Sequence, residues 1–180
     1  LLREVLPMAG GSGGEGWVQA DLTRLAVPAS AAGEGGDSRI LDSLPGMDIR
    51  VAEFTIGEKR LGRLELKARN ERSLWNLEAL SLQNPDGALK GKAQWNSVGG
   101  HHTRLGFELT SGDIGKLLER LGYPGAVKRG SASLKGDLEW DGPLTGIHYP
   151  SLTGQMEVAA AKGQFAKVDP GLGKLLGLLS

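Results

Sequence analysis

The stretch Ala132-Ser-Leu-Lys-Gly-Asp-Leu-Glu-Trp140 alternates strictly between two kinds of residue. The apolar or small set consists of Ala132, Leu134, Gly136, Leu138 and Trp140, and polar residues fill every position between them. Successive side chains of a β-strand point to opposite faces of its sheet, so a period of two separates these sets onto two faces. The stretch therefore predicts a strand with one apolar face and one solvated face.

The same alternation recurs on both sides of this stretch. Further strands are predicted at residues 16–27, 47–56, 61–68, 74–82, 89–95, 103–109 and 152–160. Between two of them, Asn84-Pro-Asp-Gly87 is a strong turn signal. So many amphipathic segments predict a mainly β fold, an extended and twisted antiparallel sheet with one wet face.

Two short amphipathic helices are predicted in addition to the strands. The first spans about 111–122, where Thr110-Ser-Gly-Asp113 has the form of a capping box and Gly122 ends the helical pattern. The second spans about 169–180, with Asp169 as its N-cap and leucines at helical spacing after it.

Composition excludes several classes of function. The 21 basic and 21 acidic residues cancel, so the chain lacks the positive charge that nucleic-acid binding requires. It contains no cysteine, which excludes disulfides and thiolate metal sites. Glycine is abundant, 29 of 180 residues or about 16%, against a usual value near 7%. Many strands with many turns, and glycines where backbones pack closely, account for that excess.

No constellation of residues in the sequence points to catalysis or to a cofactor. His101 and His102 are adjacent on a predicted strand, so they point to opposite faces and do not favour a shared metal ion. Residues 11–16 match the spacing GxGxxG, but a strand follows them where a dinucleotide-binding fold requires a helix. We therefore predict that the protein is not an enzyme and has no catalytic residue, metal site or cofactor.

The apolar face of the predicted sheet is too large for two short helices to cover. It either closes on itself as a sandwich or stays open toward an apolar ligand. Periodicity alone favours the closed sandwich, because open apolar sheets are rare. Composition favours the open sheet, because aromatic residues make up only 5% of the chain and leucine with glycine suits contact with mobile chains.

Three segments carry a resemblance to a known family. They are Leu61-Gly-Arg-Leu-Glu-Leu66 with the turn at 84–87, residues 113–140, and the closing region 163–179. Together they resemble the C-terminal region of YhdP-like proteins, a branch of the AsmA-like family. The resemblance covers about residues 40–180, which we expect to form one β-rich region, and leaves residues 1–39 as a Gly-rich segment with one strand.

The resemblance implies a role in lipid transport. YhdP-like proteins are large, anchored in the inner membrane of Gram-negative bacteria and extended across the periplasm, and they support the permeability barrier of the outer membrane. They are similar to bridge-like lipid transfer proteins, in which a curved β-sheet forms an apolar groove. By this resemblance the chain is one section of such a groove, its ligands are phospholipid acyl chains, and its partners include membrane or envelope proteins at the ends of the longer chain.

The residues expected to face lipid come from the apolar positions of the second half of the chain. They are Leu89, Trp95, Leu105, Phe107, Leu109, Leu134, Leu138, Trp140, Met156 and Val158. The alternative function is a structural or assembly module for outer-membrane biogenesis. In that case the sheet closes as a sandwich over a dry core, the helix at 111–122 plugs it, and the protein binds protein partners.

Overall fold

A single large sheet dominates the computed structural model, which describes residues 16–28, 44–71, 74–97, 99–144, 146–162 and 164–165. Its strands are β1 (Trp17–Val27), β2 (Gly46–Ile56), β3 (Lys59–Glu71), β4 (Leu74–Asn84), β5 (Gly87–Asn96), β6 (His102–Ser111), β8 (Ser131–Asp141) and β9 (Thr153–Ala161). A second, two-stranded sheet pairs β7 (Val127–Lys128) with β10 (Gln164–Phe165). The large sheet is open and curved, as expected of a groove, and its strands do not form two facing sheets.

The strands follow one another in chain order, β1-β2-β3-β4-β5-β6-β8-β9. All neighbours from β2 to β9 pair antiparallel, as the sequence predicts. The first pair departs from that expectation, because β1 runs parallel to β2 with Trp17 opposite Gly46 and Val27 opposite Ile56. The sheet is therefore mixed, and a parallel neighbour requires a connection that returns along the strand instead of a tight hairpin.

Turn chemistry fixes the register of the central hairpins. The side-chain oxygen of Asn84 accepts hydrogen bonds from the backbone N–H groups of Asp86 (3.0 Å) and Gly87 (3.1 Å), which closes the predicted turn between β4 and β5. A bulge bends β3 against β2 at Gly62, whose φ of +102° favours glycine. A Cβ at this position would lie against the carbonyl oxygen of Gln83, so β3 and β4 approach closely there.

The first predicted helix is confirmed, with shorter bounds. Helix α1 spans Ile114–Arg120, and its N-cap is Asp113, whose carboxylate accepts from the N–H of Lys116 (3.2 Å). The predicted capping box at Thr110 is wrong because Thr110 still belongs to β6. The second predicted helix, at 169–180, lies outside the described residues.

The densest packing lies where β3, β4 and β5 meet. Ala68, Trp75, Leu77, Ala93 and Trp95 form this core, each at most 6% exposed. Leu44, before β2, and Leu144, after β8, pack against it. In the described part of the chain, no helix is long and apolar enough to cross a bilayer.

The apolar face as candidate functional site

Cross-strand register arranges the apolar side chains in rows that run across the sheet. The central row contains Ala20, Ile49, Leu66, Leu80, Gly91, Phe107, Gly136 and Met156. The helix-side row contains Leu22, Val51, Leu64, Leu82, Leu89, Leu109, Leu134 and Val158. The tryptophan-side row contains Val18, Met47, Ala68, Leu77, Ala93, Leu105, Leu138 and Gly154. Three rows without a charged residue therefore cross all eight strands.

A tryptophan row bounds this surface at one end of the strands. It contains Asn70, Trp75, Trp95, Thr103 and Trp140. The indole N–H of Trp95 donates to His101 Nδ1 (3.1 Å), and that of Trp140 donates to the carbonyls of Pro143 and Gly146 (3.1 and 3.0 Å). These bonds tie the loops that follow β5 and β8 to the sheet, so this end is a packed wall.

Helix α1 bounds the surface at the opposite end. Leu117, 4% exposed, packs against the start of β5, where its Cδ2 is 3.1 Å from the position that a Cβ on Gly87 would take. The guanidinium of Arg120 donates to the Asp86 carboxylate, with Nε 2.8 Å from Oδ2, and also to the backbone carbonyl of Arg60. The helix is thereby fixed to the β4–β5 turn and to β3.

Exposure of the apolar face increases from the centre of the sheet toward both of its edges, β1 and β9. Val51, Ala68 and Leu77 are at most 5% exposed. On the same face of β6 and β8, the leucines and Phe107 are half-buried. The other residues of this face that are buried are Thr103, Ser111, Gly136 and Trp140. At the edge strand β9, Val158 is 51% exposed. The apolar face is accessible over β6, β8 and β9, and again at the opposite edge, where Val18 of β1 is 38% exposed.

All ten residues expected to face lipid lie on this one face of the sheet. Trp95 and Trp140 are 2% and 1% exposed, so they belong to the packed wall at the tryptophan row. The other eight are half-buried or exposed. The structure thus brings the predicted set together on one surface, and contact with lipid stays a prediction for each of them.

The opposite face carries the charges, mostly in exposed pairs. Arg50 pairs with Asp21 (3.8 Å), and Arg104 pairs with Glu139 (3.1 Å). A shallow depression of about 1250 Å³ lies over the middle of β4, β5, β6 and β8. Its outermost lining residues in each strand belong to the polar set, as with Lys90 and Gln94 in β5, so the depression opens on the charged face. Residues of the apolar rows, among them Gly91, Phe107 and Gly136, also line it between the polar ones.

One cluster of titratable side chains lies on the solvated face, around His102. His102 lies 3.2 Å from Asp141 and 3.6 Å from Glu139, all on the solvated face. The described residues contain no group of three histidine or carboxylate side chains arranged to hold a metal ion.

Sequence reasoning missed the loop residues that cover the tryptophan row. The side-chain amide of Asn70 donates to the carbonyl of Leu44 (2.6 Å), and Leu144 packs on the same core. Neither leucine belongs to an alternating segment, so periodicity carries no signal for them. It assigns a side chain to a face but does not show what covers that face.

A comparison with protein families gives one match, to a family model described as "YhdP protein", over residues 8–180. It begins well before residue 40, where the resemblance in the sequence starts, and the division of the chain at that residue stays a prediction. The matched family is not a known enzyme family. No curated protein and no solved structure matches the chain.

Proposed function

The chain belongs to the YhdP family, and from this premise we propose that it forms one section of a lipid-carrying groove in a periplasmic protein of a Gram-negative bacterium. In this proposal the longer protein is anchored in the inner membrane, moves phospholipid between the inner and outer membranes and supports the permeability barrier. Acyl chains lie on the apolar face of the sheet, and head groups stay in water beyond it.

The observation that carries the proposal is the continuity of the apolar rows. They cross every strand of an open sheet without a charged residue, and their accessible part reaches the free edge at β9. A soluble protein rarely leaves a contiguous apolar surface of this kind uncovered, and such surfaces mark binding sites. An assembly module with a dry core does not require an accessible apolar face.

The mechanism is physical and requires no reactive group. Each methylene group that leaves an apolar surface for water costs about 0.8 kcal/mol, so a whole acyl tail costs on the order of 10 kcal/mol. A continuous apolar surface removes most of that barrier, because a chain that moves along it exchanges one leucine contact for another. Many interchangeable residues are then sufficient, which agrees with a site made mostly of leucine.

Site-specific photocrosslinking in cells tests this proposal. A photoreactive amino acid replaces Phe107 or Leu138 on the apolar face, with Glu108 and Glu139 on the charged face as matched controls, each one residue away. Cells are grown with radioactive phosphate, and the purified protein is examined for covalently attached phospholipid. We expect label at the two apolar positions and none at the two controls.

Absence of label at all four positions, in a protein that remains folded, would contradict the lipid-carrying role. The assembly module would then be the better description, with the apolar face covered by protein. Equal label at all four positions would indicate adsorption to membrane and would also contradict the proposal.

A further inference from the structure

The central row is lower than its neighbours over β5, β6 and β8. Gly91 and Gly136 have no side chain. Phe107 lies between them in the row, and its ring lies along the sheet instead of projecting from it. A Cβ on Gly136 would be 2.5 Å from Cε1 and 2.8 Å from Cζ of Phe107, so the ring lies across that glycine. Met156 reaches the same place from β9, with its Cγ 3.3 Å from that Cβ position. The row is a shallow floor of two glycines and a flat ring.

Leucines stand on both sides of this floor. Leu109 and Leu134 belong to the helix-side row, and Leu105 and Leu138 belong to the tryptophan-side row. On β6 and on β8 the two flanking leucines are four residues apart, which places their Cα atoms about 13 Å apart. We call the floor with these walls the trough. It crosses the strands and ends at the edge strand β9.

The dimensions and chemistry of the trough select its occupant. Carbon atoms in contact are about 4 Å apart, so a single hydrocarbon chain that touches both walls needs about 8 Å between wall atoms. Two chains side by side need about 12 Å, which is nearly the whole distance between the Cα atoms and leaves no room for the leucine side chains of the walls. A peptide strand would bury N–H and C=O groups against side chains that offer them no partner, which is costly. An α-helix, about 10 Å wide, would rest on top of the walls.

We propose that the trough holds one acyl chain at a time, extended across the strands, with Gly91 setting the depth of the floor. This inference rests on the proposed function and adds the number, direction and position of the bound chains. Gly91 is the informative position because a Cβ there makes only ordinary contacts, 3.5 Å to the Gly106 carbonyl and 3.7 Å to Leu80 Cδ2. Gly91 is buried, and a methyl group there fits beside Leu80 without a clash, so it raises the floor of the trough.

A pair of glycine substitutions tests the proposal. Gly91→Leu fills the trough, and Gly106→Leu places the same side chain on the charged face of the adjacent strand, where its Cβ meets only the Asp137 carboxylate, at 3.0 Å. The purified protein is irradiated with palmitate that carries a photoactivatable diazirine, at subsaturating concentration. A leucine displaces about two methylene groups of contact, each worth about fourfold in affinity, so we expect labelling of Gly91→Leu to fall about fifteenfold and that of Gly106→Leu to stay unchanged.

The site of attachment gives a second measurement that does not depend on the fold of a variant. In the wild-type protein, adducts should map to Phe107, Leu105 and Met156 and not to Lys135 or Glu108. Gly91→Ala, a smaller change, should lower labelling severalfold if Gly91→Leu does not fold.

The outcomes separate this inference from the proposed function. Labelled wild-type protein with equal labelling of Gly91→Leu and Gly106→Leu, or with adducts outside the trough, would overturn the trough while leaving a lipid-binding protein. A wild-type protein that takes no label from palmitate would overturn both.

Discussion

The three tryptophans of the tryptophan row differ at the indole nitrogen. Trp140 donates to two loop carbonyls, and Trp95 donates to His101, whereas the buried nitrogen of Trp75 has no hydrogen-bond partner among the described residues. A buried donor that is paired stabilises the fold, and one that is unpaired costs free energy. Similar rings on one row thus contribute differently to stability.

This difference predicts unequal effects of one substitution. Trp140→Phe removes the indole donor from the Gly146 carbonyl and from the Pro143 carbonyl, which keeps only the backbone N–H of Gly146. We therefore expect the free energy of unfolding to fall by about 2–3 kcal/mol. Trp75→Phe removes a similar area of ring together with an unpaired donor, and should cost about 1 kcal/mol. Urea denaturation followed by circular dichroism measures both. An equal loss in the two variants would show that the Trp140 hydrogen bonds contribute little.

Glycine positions provide a second test at the residue scale. Gly62→Ala places a methyl group against the Gln83 carbonyl at a positive φ, so we expect a loss of about 3 kcal/mol or more. Gly91→Ala meets ordinary contacts and should change the free energy of unfolding by less than about 1 kcal/mol. Thermal unfolding of both variants checks this, and a destabilised Gly91→Ala protein would mean that the trough is already filled.

At the scale of elements, the strands could be predicted because apolar and polar residues alternate along a half-buried strand, and this alternation is visible in the sequence. The prediction of residues 16–27 agrees within one residue with β1, and 74–82 agrees within two with β4. The direction of β1 could not be predicted, since a period of two is the same in parallel and antiparallel strands. Periodicity places Trp95 and Trp140 on the apolar face but does not show that the loops after β5 and β8 bond to their indole groups and bury them.

Helix α1 depends on one partly buried ion pair. The side chains of Arg120 and Asp86 are 28% and 12% exposed, whereas Lys116 and Asp113 form an exposed pair at 4.0 Å. Arg120→Gln leaves the Asp86 carboxylate without its partner and should cost about 1–3 kcal/mol. Lys116→Gln, on the same helix, should cost less than about 0.5 kcal/mol. Chemical denaturation compares them, and equal effects would mean that the helix is held by Leu117 alone.

For the whole molecule, the gradient of burial decides between a groove and a closed core. An aspartate that replaces a fully covered leucine leaves a charge without solvation, which costs several kcal/mol, whereas an aspartate on an accessible face stays in contact with water. Leu77, in the core, is 5% exposed, and Leu138, on the accessible part of the same face, is half-buried. The two leucines belong to the same tryptophan-side row, which makes them a matched pair.

We therefore expect Leu77→Asp to abolish cooperative unfolding and Leu138→Asp to retain the fold with a melting temperature lowered by several degrees. Leu138→Asp should also lose capture of phospholipid at a photoreactive residue 107, because an acyl chain in the trough would strip water from the carboxylate, which is costly. Complete loss of structure in both variants would show that the apolar face is closed along its whole length. A folded Leu138→Asp protein that still captures phospholipid would place the acyl chain elsewhere, since a carboxylate beside the trough is incompatible with a bound hydrocarbon chain.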